Sequence, residues 1–364
     1  MKGLNNDRYR LLGGPGSPFS LKMRAALRYR RLPHNWIVPQ GYLADSPELK
    51  AAAKGMIPVM QLPEGDYWAD TTPMILALER RHPGARSLLP DNPTDRFLAL
   101  LIEDFADEWL VLPFFDYRWD AEVDQAFCSR RQMAGWLGAM PAVQFDDIVA
   151  KFRQRQTGVL ARMGDRELNR PLLRSTYPEV LEAVEAQLEV SRYFFGGRPS
   201  IGDIGLYAQL FQCAIDPTAS DIMRSQAVRT FQWVHDMDDA SGVEGEWRDP
   251  ASPIGPGVER LLKLIGEVYL PYLTANFVAV AADEKAVAVE LRGLPFEART
   301  NPYKARCLDA LKVALADAMD AGAPDLEAIL RRFGCWEALQ LAAGERQTIV
   351  PITPTDTGKR AAVG

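Results

Sequence analysis

The sequence predicts a two-part chain, a small α/β domain followed by an all-α bundle, and three observations carry that reading. Strand-like and helix-like patterns alternate over residues 1–85, residues 86–95 form a Pro/Asn/Asp-rich connector, and from residue 96 the apolar spacing becomes mainly helical. At 364 residues the chain exceeds what one ordinary core organises, so two domains or more are expected.

In chain order, "RYRLLGG" (8–14) is a short apolar run ended by two glycines and reads as the first strand. "SPFSLKMRAALRYRR" (17–31) puts Leu21, Ala25 and Leu27 at helical spacing behind Ser17 and Pro18, residue types suited to an N-cap and a first helical position. "HNWIVPQ" (34–40) reads as the second strand, and "SPELKAAAKG" (46–55) as a helix opened by Ser46 and Pro47 and closed by Gly55. "MIPVMQLPEGDYWAD" (56–70) gives two strands around a turn at Glu64 and Gly65, and "TTPMILALERRHPG" (71–84) a helix stopped by Pro83 and Gly84. The order is β-α-β-α-β-β-α, the pattern of a small thioredoxin-like sheet.

Beyond the connector, "RFLALLIEDFADEWLVL" (96–112) reads as a long helix with an apolar face, followed by helices at 121–140, 142–163 and 178–190. "RPSIGDIGLYAQLFQCAI" (198–215) is almost wholly apolar after its start, so it belongs at the centre of the bundle that spans 96–250. Residues 251–343 read as a helical extension. Within it "AVAVELRGLPFEAR" (286–299) alternates apolar and polar on either side of Arg292 and Gly293, a short hairpin, and two helices follow. Residues 344–364 read as a disordered tail.

Composition narrows the function classes. The formal net charge of −6 and the lack of a dominant basic face argue against nucleic acid as a partner. Cys128, Cys213, Cys307 and Cys335 lie far apart without metal-ligand spacing, so neither a zinc site nor a disulfide framework is expected. The start "MKGLNNDRYR" lacks the apolar core of a signal peptide and no 18-residue apolar run is seen, so the expected address is the cytoplasm, away from membranes. His34, His82 and His235 are scattered, which leaves no His-centred catalytic constellation.

Three stretches carry the chemistry. Ser17 and Ser20 are spaced as the cysteines of a C-x-x-C redox site would be, with Ser17 where a strand becomes a helix and N–H groups converge. In "GMIPV" (55–59) Pro58 removes a ladder donor, so it must stand at a strand start or edge. In "ADTTPMI" (69–75) Asp70 or Thr71 is expected to cap the next helix. A fourth motif is structural: Ser200 and Asp203 have the spacing of a capping box, with Ile204 placed for the hydrophobic staple.

Together these residues resemble the glutathione transferase superfamily. The resemblance covers roughly residues 8–245 and implies a thioredoxin-like N-terminal domain, a helical-bundle C-terminal domain of the transferase type, and a homodimer. It implies that Ser17, a cis Ile57–Pro58 bond, and Asp70 with Thr71 line one glutathione groove. Glutathione would be the co-substrate, with no metal, and Ser17 would be catalytic, donating its hydroxyl to the glutathione thiolate. Ile57 would pair its main chain with the cysteinyl unit, and Asp70 and Thr71 would hold the γ-glutamyl end. Where many members have a polar residue before the proline, this chain has Met56, so the glycine carboxylate would need Lys54 or Gln40. The second substrate, a small hydrophobic electrophile, is expected between Phe19 and the aromatic run "FFDYRWD" (114–120), at Tyr117 and Trp119. The alternatives are a non-catalytic scaffold of the same fold, or a glutathione-dependent isomerase, ether-cleaving enzyme or dehalogenase. A thiol-disulfide reductase is disfavoured because hydroxyls stand at both C-x-x-C positions.

Overall fold

A computed structural model of the chain describes residues 7–39, 49, 56–84, 86–323 and 325–355. The predicted helix at 46–55, with Lys54, and Gln40 before it lie outside the described residues, apart from Leu49.

The N-terminal part is built from β1 (Tyr9–Leu12), α1 (Pro18–Tyr29), β2 (His34–Ile37), β3 (Val59–Gln61), β4 (Tyr67–Ala69) and α2 (Thr71–Arg81). The sheet order is β2-β1-β3-β4, with β1 parallel to β2 and antiparallel to β3, and β3 antiparallel to β4. This is the thioredoxin-like arrangement that the alternating pattern predicts. The turn falls where Gly65, at φ 108°, supplies a conformation other residues resist.

The helical part begins with α3 (Pro93–Phe105), capped by the Asn92 side chain on the Asp95 N–H. A π-helical turn (Ala106–Leu110) joins it to α4 (Val111–Asp120), so the predicted 96–112 helix continues further than its pattern indicates. There follow α5 (Glu122–Leu137), α6 (Ala142–Leu160), α7 (Arg166–Leu188), α8 (Ile201–Cys213), α9 (Pro217–Gln226) and α10 (Val228–Met237). The predicted helix at 178–190 starts a dozen residues earlier, because α7 runs through both Pro171 and Pro178.

At the centre, α8 packs against α3 and α1. Its capping box is formed: the Asp203 N–H donates to Ser200 Oγ at 3.3 Å, and the Ser200 N–H donates to Asp203 Oδ2 at 2.9 Å. Asp203 also accepts the Phe194 N–H at 3.0 Å, and burial pushes its carboxyl up to about 6 against these stabilising bonds. Gly205 permits the close approach of the helices, since a Cβ there would lie 3.1 Å from Glu103 Cα.

The extension is a second layer on this bundle. It contains α11 (Pro256–Leu264), a π-helical turn (Ile265–Tyr269), α12 (Leu270–Ala281), β5 (Ala286–Leu291), β6 (Leu294–Arg299), α13 (Pro302–Asp320) and α14 (Leu326–Arg332). The hairpin turns at Arg292 and Gly293, both at positive φ, as a two-residue primed turn requires. The second predicted helix stops early, at Arg332, and a 3₁₀ turn (Glu337–Leu339) follows Gly334 at φ 72°. Contrary to the expectation of no long apolar run, Pro256–Ala281 is long and apolar enough to cross a membrane by length and composition. Its apolarity has an internal use, because Leu261, Leu262, Ile265, Val268, Leu270 and Leu273 are buried in the main core. The predicted disordered tail needs correction over residues 345–355, while 356–364 lie outside the described residues. Residues Glu345–Thr348 form a short helix, and the chain then runs back to the sheet, where the Ala69 N–H donates to the Pro354 carbonyl at 2.7 Å.

Candidate functional site

Sheet register brings three distant stretches to one place. Leu12 pairs with Val59 and Val59 with Ala69. The strands alternate in direction, so the residues just beyond that row emerge at the same end: the loop 13–17 after β1, Ile57 and Pro58 before β3, and Asp70 after β4. The Ile57–Pro58 bond is cis.

Ser17 and Ser20 have different fates. Ser17 is the N-cap of α1, half-buried, and its Oγ accepts the Ser20 N–H at 3.3 Å. One lone-pair side of that oxygen is thereby used, and its O–H keeps its capacity to donate. Ser20 is fully buried, and its Oγ accepts the Gly14 N–H at 3.2 Å, tying the loop to the helix. Only the first position of the C-x-x-C-like spacing thus faces the sheet end; the second is a loop brace.

Asp70 stands at φ 77°, ψ 114°, a strained conformation for a residue with a side chain. It occupies the N-cap position of α2, yet its carboxylate makes no cap hydrogen bond. Oδ2 instead accepts the hydroxyl of Tyr303, from α13, at 2.5 Å. The predicted capping role of Asp70 is corrected accordingly, and the Thr71 hydroxyl is not the cap either.

Thr71 is buried, and its Oγ1 accepts from Lys22 Nζ at 3.2 Å and lies 3.4 Å from Asp107 Oδ2. Lys22 is itself fully buried on α1 and also donates to Thr72 at 3.1 Å, to Asp107 at 2.7 Å and to Glu103. Burial opposes the Lys22 charge, but Asp107 and Glu103 outweigh it and hold the ammonium above its ordinary range. Burial likewise raises Glu103, to about 7, against the opposing pull of Lys22. The network bridges the two domains. What Thr71 offers at the sheet end is therefore its main chain, in the first turn of α2, where N–H groups have no intrahelical acceptor.

Two family models match the chain in succession: the glutathione S-transferase N-terminal domain over residues 11–86 and the glutathione S-transferase C-terminal domain over residues 153–254. The chain belongs to the glutathione S-transferase superfamily. Similar solved structures include a glutathione S-transferase from Methylobacillus flagellatus KT with glutathione bound, 19% identical over 63% of this chain and 98% of that one, TM-score 0.38. A Tau-class glutathione S-transferase from mango is 16% identical over 72% of this chain and 100% of that one, TM-score 0.40. A GST-like protein from Pseudomonas syringae is 17% identical over 64% of this chain and 68% of that one, TM-score 0.43. No curated protein matches the chain.

Within this transferase-family fold, the expected second-substrate residues separate. Phe19 is half-buried on α1. Tyr117 and Trp119 do not form walls of a groove: Tyr117 packs edge-on against Tyr177 with Arg174 over its ring, and Trp119 packs against Phe115 and Phe152. Both are buried because α4 runs through the middle of the bundle, where an aromatic run fills core space. The side chains pressed on the loop 13–17 come instead from α5. Trp136 lies against Gly14 and Gln132 against Gly16, so tightly that a Cβ at either glycine would overlap them. Trp136 belongs to an apolar cluster whose partly exposed rim includes Ile57, Val38 and Phe145.

Sequence reasoning also missed Arg118. Its Nη1 donates to the Gly16 carbonyl at 2.9 Å, while Nε meets Asp216 Oδ2 at 2.5 Å and Nη2 meets Gln212 Oε1 at 2.6 Å, all buried. Gln212 Nε2 in turn donates to the Pro15 carbonyl at 2.9 Å. The available signal was a single arginine inside a largely apolar and aromatic helix, VLPFFDYRWD. Among the described residues no cluster of His, Cys, Asp and Glu is arranged to hold a metal ion.

Proposed function

We propose that this member of the superfamily is a serine-type glutathione transferase, in which the Ser17 hydroxyl donates to the thiolate of glutathione as it attacks a small hydrophobic electrophile. The observation that carries the reading is the Ser17 oxygen at the start of α1, its acceptor side engaged by the Ser20 N–H at 3.3 Å. That leaves a hydroxyl proton, at the positive end of a helix, beside the edge where Ile57 and Pro58 enter β3.

Magnitudes agree with this chemistry. A free thiol titrates near 8.5, and lowering it to about 6.5 takes about 2.7 kcal/mol of preferential stabilisation of the thiolate. A hydrogen bond to a charged group contributes about 1.5–3 kcal/mol and the helix start about 0.3–1 kcal/mol more. No buried base is required. Ile57 would offer its main chain to the cysteinyl unit, Asp70 the carboxylate for the γ-glutamyl ammonium, and the Thr71 main chain its carboxylate. The glycine end would be held by Lys54 or Gln40. The apolar rim of Ile57, Val38 and Phe145, backed by buried Trp136, is the surface on which the electrophile would rest.

Replacing Ser17 with Ala tests the reading. Glutathione is expected still to bind, while turnover with an aryl halide or an activated alkene falls at least tenfold and the thiolate absorbance of the bound tripeptide titrates at higher pH. Unchanged turnover sinks the assignment. Binding without turnover in the wild-type chain favours the non-catalytic alternative.

A further inference from the structure

The extension beyond residue 250 reaches the sheet end described above, and its first contact there is the hydroxyl of Tyr303 on Asp70. The start of α13 that carries Tyr303 is rigidly placed. Asn276, fully buried on α12, forms a reciprocal pair with Asn301, donating to its carbonyl at 2.9 Å and accepting its N–H at 2.8 Å. The Asn301 side chain then caps α13 by accepting the Tyr303 N–H at 2.9 Å. One residue on, buried Lys304 ties the same turn to the bundle through the Glu108 carboxylate at 3.0 Å and the Glu108 carbonyl. Asp70 has little freedom in return, because its strained backbone persists only where its surroundings over-determine it. Two of those surroundings come from the extension: Tyr303 on its side chain, and the Pro354 carbonyl on the N–H of Ala69 just before it. Tyr303 and Pro354 also line a common cleft of about 690 Å³ with Thr72 and Pro73 of α2.

We infer that the extension completes the amino-acid headgroup subsite: Tyr303 is a positioning residue that orients the Asp70 carboxylate toward the α-ammonium group of a γ-glutamyl ligand. This rests on the glutathione reading above and adds to it a residue from outside both family-matched segments. A hydroxyl fixed on one oxygen of a carboxylate biases the direction in which its charge is presented to a cation, and losing that donor raises the ordering cost met at each binding event.

The test uses the full-length chain and two ligands, glutathione and its analogue lacking the α-amino group, titrated calorimetrically into wild type and Tyr303→Phe. The wild type is expected to prefer glutathione. In Tyr303→Phe the preference shrinks about tenfold through weaker glutathione binding, while the analogue binds as before and kcat with an electrophile is unchanged. Equal preference in wild type and variant overturns the inference while leaving the glutathione reading intact. Tighter glutathione binding in the variant also overturns it, because Tyr303 would then be competing with the ligand for Asp70. A wild type that binds neither ligand overturns both. Thermal unfolding of the variant within a few degrees of wild type separates this effect from loss of the extension's docking, and Asn276→Ala, which loosens the α13 start without touching Asp70, is expected to reproduce the lost preference in part.

Discussion

Arg118 Nη1 donates to the carbonyl of Gly16 at 2.9 Å, one residue before the hydroxyl at the mouth of α1. A cation from the helical domain thereby fixes the loop of the α/β domain, and its own charge is answered by Asp216, which is 1% exposed. Replacing Arg118 with Met leaves that carboxylate buried without its cation, a change that costs about 3–5 kcal/mol. We expect urea unfolding to show a loss of that order. Pairing it with Asp216→Leu should recover much of the stability but not the glutathione turnover, since the Gly16 carbonyl still lacks its donor. Recovery of both in the double variant would show that the loop needs no help from Arg118.

Glu103 gives the protein a stability term that depends on pH. Burial holds its carboxyl at about 7, above the ordinary glutamate range, with Lys22, Asp107 and Thr72 facing it. The folded chain therefore retains a proton that the unfolded chain has released. That contribution is fully present below about pH 4.5 and is lost as pH rises through about 7. Glu103→Gln keeps the shape and removes the titration. The difference in unfolding free energy between variant and wild type is thus expected to shift in the variant's favour as pH rises from 5 to 8, measured by denaturant titration at several pH values. A constant difference would mean that Lys22 keeps Glu103 ionised throughout.

The sheet, the central helix and its capping box were legible because each is a local pattern: a two-residue or 3.6-residue period, a turn residue, a cap three positions from its partner. Ser17, Ile57 and Asp70 were grouped in sequence only through the family resemblance, and it is the non-local register of β1, β3 and β4 that gathers their stretches at one end of the sheet. What could not be read was anything decided by long-range packing. Tyr117 and Trp119 look the same in sequence whether an aromatic run lines a groove or fills a core, and only the course of α4 through the bundle decides. Thr71 has the composition of a headgroup ligand, but a buried Lys22 on another helix takes its hydroxyl. The tail at 345–355 has the composition of disorder, and its order comes from a cleft made by α2, α3 and α13 that no local pattern encodes.

Gly16 offers a way to move the loop that ends in Ser17 without altering any of its polar side chains. A Cβ added there would lie 2.5 Å from Gln132 Cγ, closer than side-chain atoms approach, while the backbone at this position needs no special conformation. Gly16→Ala must therefore push either Gln132 on α5 or the loop that ends in Ser17. The loop is also anchored by Arg118 and Gln212, so the displacement is expected to reach Ser17 and lower glutathione turnover by an order of magnitude or more, because a shift of about 1 Å at a reacting group can cost about 10²-fold. Shortening the opposing side chain should relieve it: the double variant Gly16→Ala, Gln132→Ala is expected to regain most of the activity, while Gln132→Ala alone stays near wild type. Kinetics of the three variants at saturating glutathione decide the matter, and a double variant as slow as Gly16→Ala would mean that α5 does not set the position of the serine.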